Sequence, residues 1–239
     1  MKEENPDIIA LQETNCPRRR RPQEIYLKGY KSYFVDSKKP GYHGIALLSK
    51  QEPLNIIRGI GVEEIDEQAR ILTAEFEKYF LVIANAPSSG RNSSEFLKRL
   101  HWDQRFYEFI ICLEQRKPII ICGCMNVANT DSDLALPQIN SGREGSTQEE
   151  RDNFRRLLQV GFVDAFKLIH PYESNVFTFW SNNKNRDQNL GNRFDYILVS
   201  RSIQDSILDV ETHTHVENRK NRRRGACEND IRKKAITCN

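Results

Sequence analysis

No stretch of this sequence approaches the ~20 consecutive apolar residues that span a bilayer. Met1 is followed by Lys2, Glu3 and Glu4 rather than by an apolar leader. No membrane partner is expected, and an intracellular location is. Cysteine is sparse: six scattered over 239 residues do not make a small disulfide framework and suit a reducing compartment, where those in runs such as Ile119 to Cys122 are buried as small hydrophobes. Internal repeats and low-complexity linkers are also lacking. The net charge of +3 is too small to mark a nucleic-acid binder by itself. The positive charge is nevertheless clustered, at Arg18 to Arg21 and at Arg219, Lys220, Arg222, Arg223 and Arg224. Such blocks suit phosphate backbones, and equally a solvated loop or a nuclear-import signal; composition leaves these open.

What is present is a chain with 38% hydrophobic and 29% charged residues, enough for one domain over 1–239 with its own core, ending in a divergent basic segment 213–239. Short β-branched runs alternate with turns and two amphipathic segments, which predicts a mixed α/β domain. Strands are expected at Asp7 to Leu11, Lys31 to Val35, Gly44 to Leu48, Arg70 to Glu75, Tyr79 to Asn85, Pro118 to Gly123, Phe177 to Trp180 and Phe194 to Val199. Several are apolar on both faces, so their sheets are expected to be covered on both sides. A long surface helix is expected from Ser94 to Arg116, with Phe96, Leu100, Phe106, Ile110 and Leu113 as its apolar stripe. Thr147 and Glu150 have the spacing of a capping box for a second helix, and Gly161 is its natural stop. Between them, Asn126 to Gly145 reads as a surface loop of the kind that carries function.

Read in order, the blocks Ile9-Ala-Leu-Gln-Glu13-Thr, Gly41-Tyr-His-Gly-Ile-Ala-Leu-Leu-Ser49, Ala69-Arg-Ile-Leu-Thr-Ala-Glu-Phe76, Cys122-Gly-Cys-Met-Asn126-Val-Ala128, Gly145-Ser-Thr-Gln-Glu-Glu-Arg151, Phe177-Thr-Phe-Trp180 and Arg193-Phe-Asp195-Tyr196 resemble the exonuclease III / apurinic endonuclease family. The resemblance runs from Asn5 to about Ser202. It implies a DNase I-like four-layer α/β sandwich, two packed mixed β-sheets flanked by helices, with the family's first strand missing. It also implies Mg²⁺-dependent (or Mn²⁺-dependent) hydrolysis of DNA phosphodiesters at abasic sites in repair. In that chemistry a cation polarises the phosphoryl oxygens, a base orients water and donors stabilise the developing charge. By the resemblance, Glu13 is the metal-binding glutamate, Asn126 the amide on the reacting phosphate, and Asp195 the carboxylate that orients a histidine. Arg91, Arg99 and Phe179 then face DNA, joined by Arg222 and Arg223 of the basic tail. A duplex with an abasic site, and a possible protein partner, are the implied partners of a monomeric, nuclear protein.

The sequence also departs from that family. Gly123-Cys124-Met125-Asn126 replaces Gly-Asp-Leu-Asn, so a thiol stands where the water-activating aspartate belongs, and a neutral thiol is a poor ligand for a hard cation. Cys122 and Cys124 lack the usual spacing of a zinc or redox pair. Ala226-Cys-Glu-Asn-Asp230-Ile stands for Ser-Asp-His-Cys-Pro: Asp230 is a stand-in for the aspartate, no histidine follows it, and His213 or His215 would have to substitute. Asn85 to Ser88 replaces Tyr-Val-Pro-Asn, Asn192 replaces a pocket tryptophan, and the missing first strand is expected to leave strand edges bare. Losing several groups that each contribute on the order of 10²–10⁴ in rate predicts a weakly active or inactive copy. A pseudoenzyme that binds nucleic acid or protein is the alternative.

Overall fold

The computed structural model describes residues 5–90, 92–213 and, as backbone, 235–238. The chain folds as two compact units, the first formed by residues up to 85 with 235–238, the second by residues 86–213.

In the first unit, β1 (Ile8–Gln12) and β3 (Ile45–Ser49) are buried along their whole length, as expected of runs apolar on both faces. They pair antiparallel, with Ile9 opposite Leu48 and Leu11 opposite Ala46. β2 (Lys31–Val35) closes the other side of β3. Ile9, Leu11, Ile25, Ala46 and Leu48 pack on one face under Leu27, Tyr30 and Phe34. On the other side, β1, β2 and β3 pack on strands of the meander β4 (Asn55–Arg58), β5 (Ile71–Glu75) and β6 (Phe80–Asn85). A short helix α1 (Glu63–Asp66) precedes β5.

Bare strand edges were expected, but β1 does not present one. Strand β10 (Ala235–Cys238) pairs antiparallel with it, Ile8 opposite Cys238 and Leu11 opposite Ala235, so β1 has a neighbour on each side. The first basic block forms an exposed 3-10 turn at Arg18–Arg20. Arg21 instead turns inward, bonding Asp36 and stacking over Phe34 with its guanidinium 3.8 Å from the ring centre.

In the second unit, α2 (Ser93–Glu114) begins at Asn92, whose side chain accepts from the amide of Glu95 at 2.9 Å. Its buried face is Arg99, Trp102, Phe106, Ile110 and Leu113. The periodicity gave the last three correctly, whereas Phe96 and Leu100 are half-buried flanks and an arginine occupies the core-facing position. Short helix α3 (Pro137–Asn140) lies in the loop before α4 (Gln148–Gln159). The Thr147/Glu150 capping box opens α4, Phe154 and Leu157 are buried beneath it, and α4 packs on α2. β7 (Ile119–Cys124), β8 (Phe162–Asp164) and β9 (Asp195–Ser200) form an antiparallel ladder with β9 between the other two. Helices α5 (Ala165–Ile169) and α6 (Asn183–Asp187) are short. The strand expected at Phe177 to Trp180 is absent, because that stretch makes a single bridge, Phe179 to Asn192.

Candidate functional site

In the first unit, Glu13 directly follows β1 in the left-handed region, φ 51°. Beyond it the chain runs against the Gly41–Gly44 turn, the amides of Thr14 and Asn15 donating to the carbonyls of Gly44 (3.2 Å) and His43 (2.7 Å). Gly44 has φ +91°, and a Cβ there would sit 2.6 Å from Thr14 Oγ1, so only glycine allows the approach. The Arg70 guanidinium lies beside Glu13's neighbour His43, its Nη2 3.1 Å from Nε2 while its Nη1 donates to the carbonyl of Asn85 at 3.2 Å. An arginine can only donate, so His43 Nε2 accepts and the ring is neutral. Burial, then Arg70, lower the His43 pKa to about 4, with Glu13 pulling the other way. The side-chain amide of Asn85 is buried with neither its oxygen nor its nitrogen bonded among the described residues.

In the second unit, the ends of β7 and β9 bring Cys124 opposite Asp195. Cys124 is completely buried, in a cluster with Ala128, Leu134 and Phe194. It behaves as a core residue. Asp195 is held by its main chain: the Thr178 hydroxyl accepts from the amides of both Phe194 and Asp195, each at 3.0 Å. Its Oδ1 is buried and has no hydrogen-bond partner among the described residues. The neighbouring Arg193, the obvious ion-pair candidate in sequence, turns away to Asp133 (2.8 Å) and Asp164 (2.7 Å). Those carboxylates keep Arg193 protonated against its burial.

Asn126 follows β7 with φ 48°. Its Nδ2 donates to the carbonyl of Ala86 at 2.7 Å, and Arg99 grips the same loop. That guanidinium is 1% exposed and donates to the carbonyls of Pro87 (2.7 Å), Met125 (2.8 Å) and Asn126 (3.3 Å) and to Asp103 (2.8 Å). Arg99 was expected to face DNA. It is instead an internal brace, because the carbonyls of two loop starts converge where the helix face points. Trp102, on the same helix face, is core, stacked on Phe106.

Phe179 is 37% exposed and stacks on Phe194 at 5.4 Å, which leaves a ring face available to a ligand. Trp180 lies under Arg186. His213 sits 3.9 Å from Glu211 and does not bond Asp195 Oδ1. Arg91, His215, Arg222, Arg223 and Asp230 lie outside the described residues.

The donors among the described residues do not by themselves make up an Mg²⁺ site, and Asp230 lies outside them. Among the described residues no three His, Cys, Asp or Glu side chains gather as a metal cluster. Mg²⁺ asks for hard oxygens in octahedral array. Glu13 is a hard-oxygen donor, whereas Cys124, taken by itself at the matched position on β7, offers buried sulfur.

Sequence reasoning missed Arg70 with His43, the Thr178 hydroxyl under Asp195, and a bond between Ser88 and Glu144. All depend on contacts between distant segments. A His inside the Gly41-Tyr-His-Gly block was the one local signal for the first of them.

Known proteins place this geometry. The model of the endonuclease/exonuclease/phosphatase family matches residues 1–215. The chain is 39% identical over 217 residues to an exodeoxyribonuclease of Bacillus subtilis (strain 168), covering 90% of this chain and 85% of that one. It is 39% identical over 213 residues to the DNA repair nuclease APEX1 of Danio rerio, covering 87% and 69%. Among solved structures, an AP endonuclease from Archaeoglobus fulgidus matches with a TM-score of 0.73 and 27% identity over 85% of this chain and 80% of that one. The expected DNase I-like α/β fold stands on these matches, and the chain belongs to the endonuclease/exonuclease/phosphatase family, on its exonuclease III / AP endonuclease branch.

Proposed function

We propose that this chain engages DNA as its relatives do while hydrolysing phosphodiesters poorly. The observation that carries the reading is the pair Cys124 and Asp195: a fully buried thiol faces a carboxylate whose Oδ1 has no partner among the described residues. In a hydrolase of this kind one of these groups would activate water and the other would hold an imidazole in orientation. A buried neutral thiol does neither at neutral pH. What the chain's own residues still supply is positioning. Asn126 is fixed by Ala86 and Arg99, with its amide group beside the end of β7. Phe179 offers a half-open aromatic face for an unstacked base or sugar. Its family is one of metal-dependent nucleases. In this proposal the chemistry that Mg²⁺ or Mn²⁺ would supply is polarisation of a phosphoryl oxygen, with Glu13 as the residue that the resemblance assigns to hold it. A monomer working in the nucleus, with its basic tail on the phosphate backbone, completes the proposal.

A second reading, an enzyme that retains slow incision, is favoured by the survival of Glu13, Asn126 and Asp195 at the positions the resemblance assigns. One experiment separates the two. Purified protein is incubated with an abasic-site duplex, with Mg²⁺ or with chelator, while binding to the same duplex is followed as salt is raised. Salt-sensitive binding without incision at high protein concentration is the expected result. Brisk, chelator-sensitive incision that is lost in Glu13→Ala would establish the second reading, and no binding at all would remove DNA from both.

A further inference from the structure

We propose that Glu144 is a specificity-determining residue that occupies the Ser88 hydroxyl and screens the Asn126 face against phosphodiester groups; the assignment rests on the DNA reading above. Ser88 and Glu144 are both exposed, yet they are bonded to each other across 56 residues of chain. The Ser88 hydroxyl accepts from the amide of Gly90 at 3.2 Å, so the proton it has to give goes to the Glu144 carboxylate.

The two residues stand on loops that both touch Asn126. On one side, Ala86, two residues before Ser88, accepts from Asn126 Nδ2. On the other, Gly145, next to Glu144, accepts from the amide of Ala128 at 2.7 Å. Gly145 has φ +78°, and a Cβ there would lie 2.7 Å from Phe194 Cζ and 3.4 Å from the Asn126 carbonyl. Phe194 in turn carries the exposed Phe179. The Ser88–Glu144 bond therefore ties together the loops on either side of Asn126, beside the aromatic face.

Charge gives this tie its consequence. Among the described residues Glu144 makes no ion pair, and its carboxylate is bonded to the neutral Ser88 hydroxyl. A carboxylate on a hydroxyl donor presents the same kind of charged oxygen that a phosphodiester would bring. A phosphate group approaching Ser88 and Asn126 must displace Glu144 and then sit beside it. A neutral ligand meets no such opposition.

Binding of an abasic-site duplex by fluorescence anisotropy tests this, at low and at raised salt, with the full chain as wild type, Glu144→Ala, Glu144→Gln, Ser88→Ala and the control Glu149→Gln. Glu149 is exposed in the first turn of α4. Glu144→Ala is expected to bind roughly three- to tenfold tighter at low salt, with the gain shrinking as salt screens it. Glu144→Gln should gain less because it can keep the bond to Ser88, and Ser88→Ala should gain nothing because the charge stays and a donor is lost. Equal affinity of Glu144→Ala and wild type would overturn the assignment, as would an equal gain in Glu149→Gln. If wild type binds and Glu144→Ala matches it, the Glu144 assignment falls alone; if neither binds, the DNA reading falls with it.

Discussion

Arg99, a guanidinium 1% exposed, donates to the main-chain carbonyl of Asn126 at 3.3 Å, so the residue that the resemblance assigns to the reacting phosphate is braced from inside a helix. The same guanidinium serves the carbonyls of Pro87 and Met125, and it faces two carboxylates, Asp103 at 2.8 Å and Glu150 at 3.9 Å. Burial pushes the Asp103 carboxyl up, against the opposing pull of Arg99.

Removing this arginine should therefore cost far more than losing a surface charge. Arg99→Ala strands three carbonyls and two buried acids, and breaking such a buried pair costs about 3–5 kcal/mol. Arg99→Lys should recover only part, because one ammonium cannot reach the fork of acceptors. Urea unfolding of the three proteins checks the order; wild-type stability in Arg99→Ala would mean the contacts contribute nothing net.

His43 makes stability depend on pH. Its pKa in the folded chain is lowered from 6.5 to about 4 by burial and by Arg70. The unfolded chain thus takes up the proton first as pH falls. Stability is complete above about pH 6.5 and declines as pH drops toward 4, where the folded ring is finally protonated. The ring is half-buried, so the screened contribution is on the order of 1–2 kcal/mol. Comparing urea midpoints at several pH values for wild type and His43→Asn isolates it, and an unchanged slope between the two would rule the linkage out.

Much of the fold was legible because its signals are local. The run Ile8 to Leu11 announced β1, and the Thr147/Glu150 box placed the start of α4 to the residue. Short strands β4 and β8 were not announced, since four or three residues carry no periodicity and are held by their ladder neighbours. Phe177 to Trp180 reads as a strand by composition, yet its Thr178 hydroxyl is committed to the amides of Phe194 and Asp195. The candidate site was legible as positions, Glu13, Asn126 and Asp195, but not as environments. No spacing rule tells that Arg193 deserts its neighbour Asp195 for Asp133, or that Arg99 points inward. Both follow from which buried acids and carbonyls arrive from elsewhere in the chain.

Tyr196 tests how the loop after β7 is supported. Its hydroxyl donates toward the carbonyls of Val127 (2.8 Å) and Arg193 (3.1 Å) and accepts from the amide of Asn129 (3.3 Å). Burial raises the phenol's pKa well above its ordinary value, so it stays a donor across the working range. Tyr196→Phe keeps the ring on Phe154 but orphans those groups, at a cost of about 1–3 kcal/mol. Hydrogen exchange should show the amide of Asn129 losing protection, whereas a merely global loss would expose all amides of α4 and β9 equally.

Cys124→Asp probes, without relying on catalysis, the position where the resemblance implies an aspartate. Cross-strand neighbours have Cβ atoms ~4.5–5.5 Å apart, so the new carboxyl would stand beside Asp195 in a fully buried place. Two carboxylates there cannot both ionise cheaply. The variant should lose about 2–4 kcal/mol at neutral pH and recover part of it as pH falls and a shared proton replaces the repulsion. If the substitution rebuilds an oxygen donor set, millimolar Mg²⁺ should raise its unfolding temperature by binding the folded state alone. Wild type, with sulfur at this position, should show the same unfolding temperature in Mg²⁺ and in chelator. A cation-dependent shift in wild type equal to that of the variant would show that the thiol is not what separates this chain from a metal-holding site.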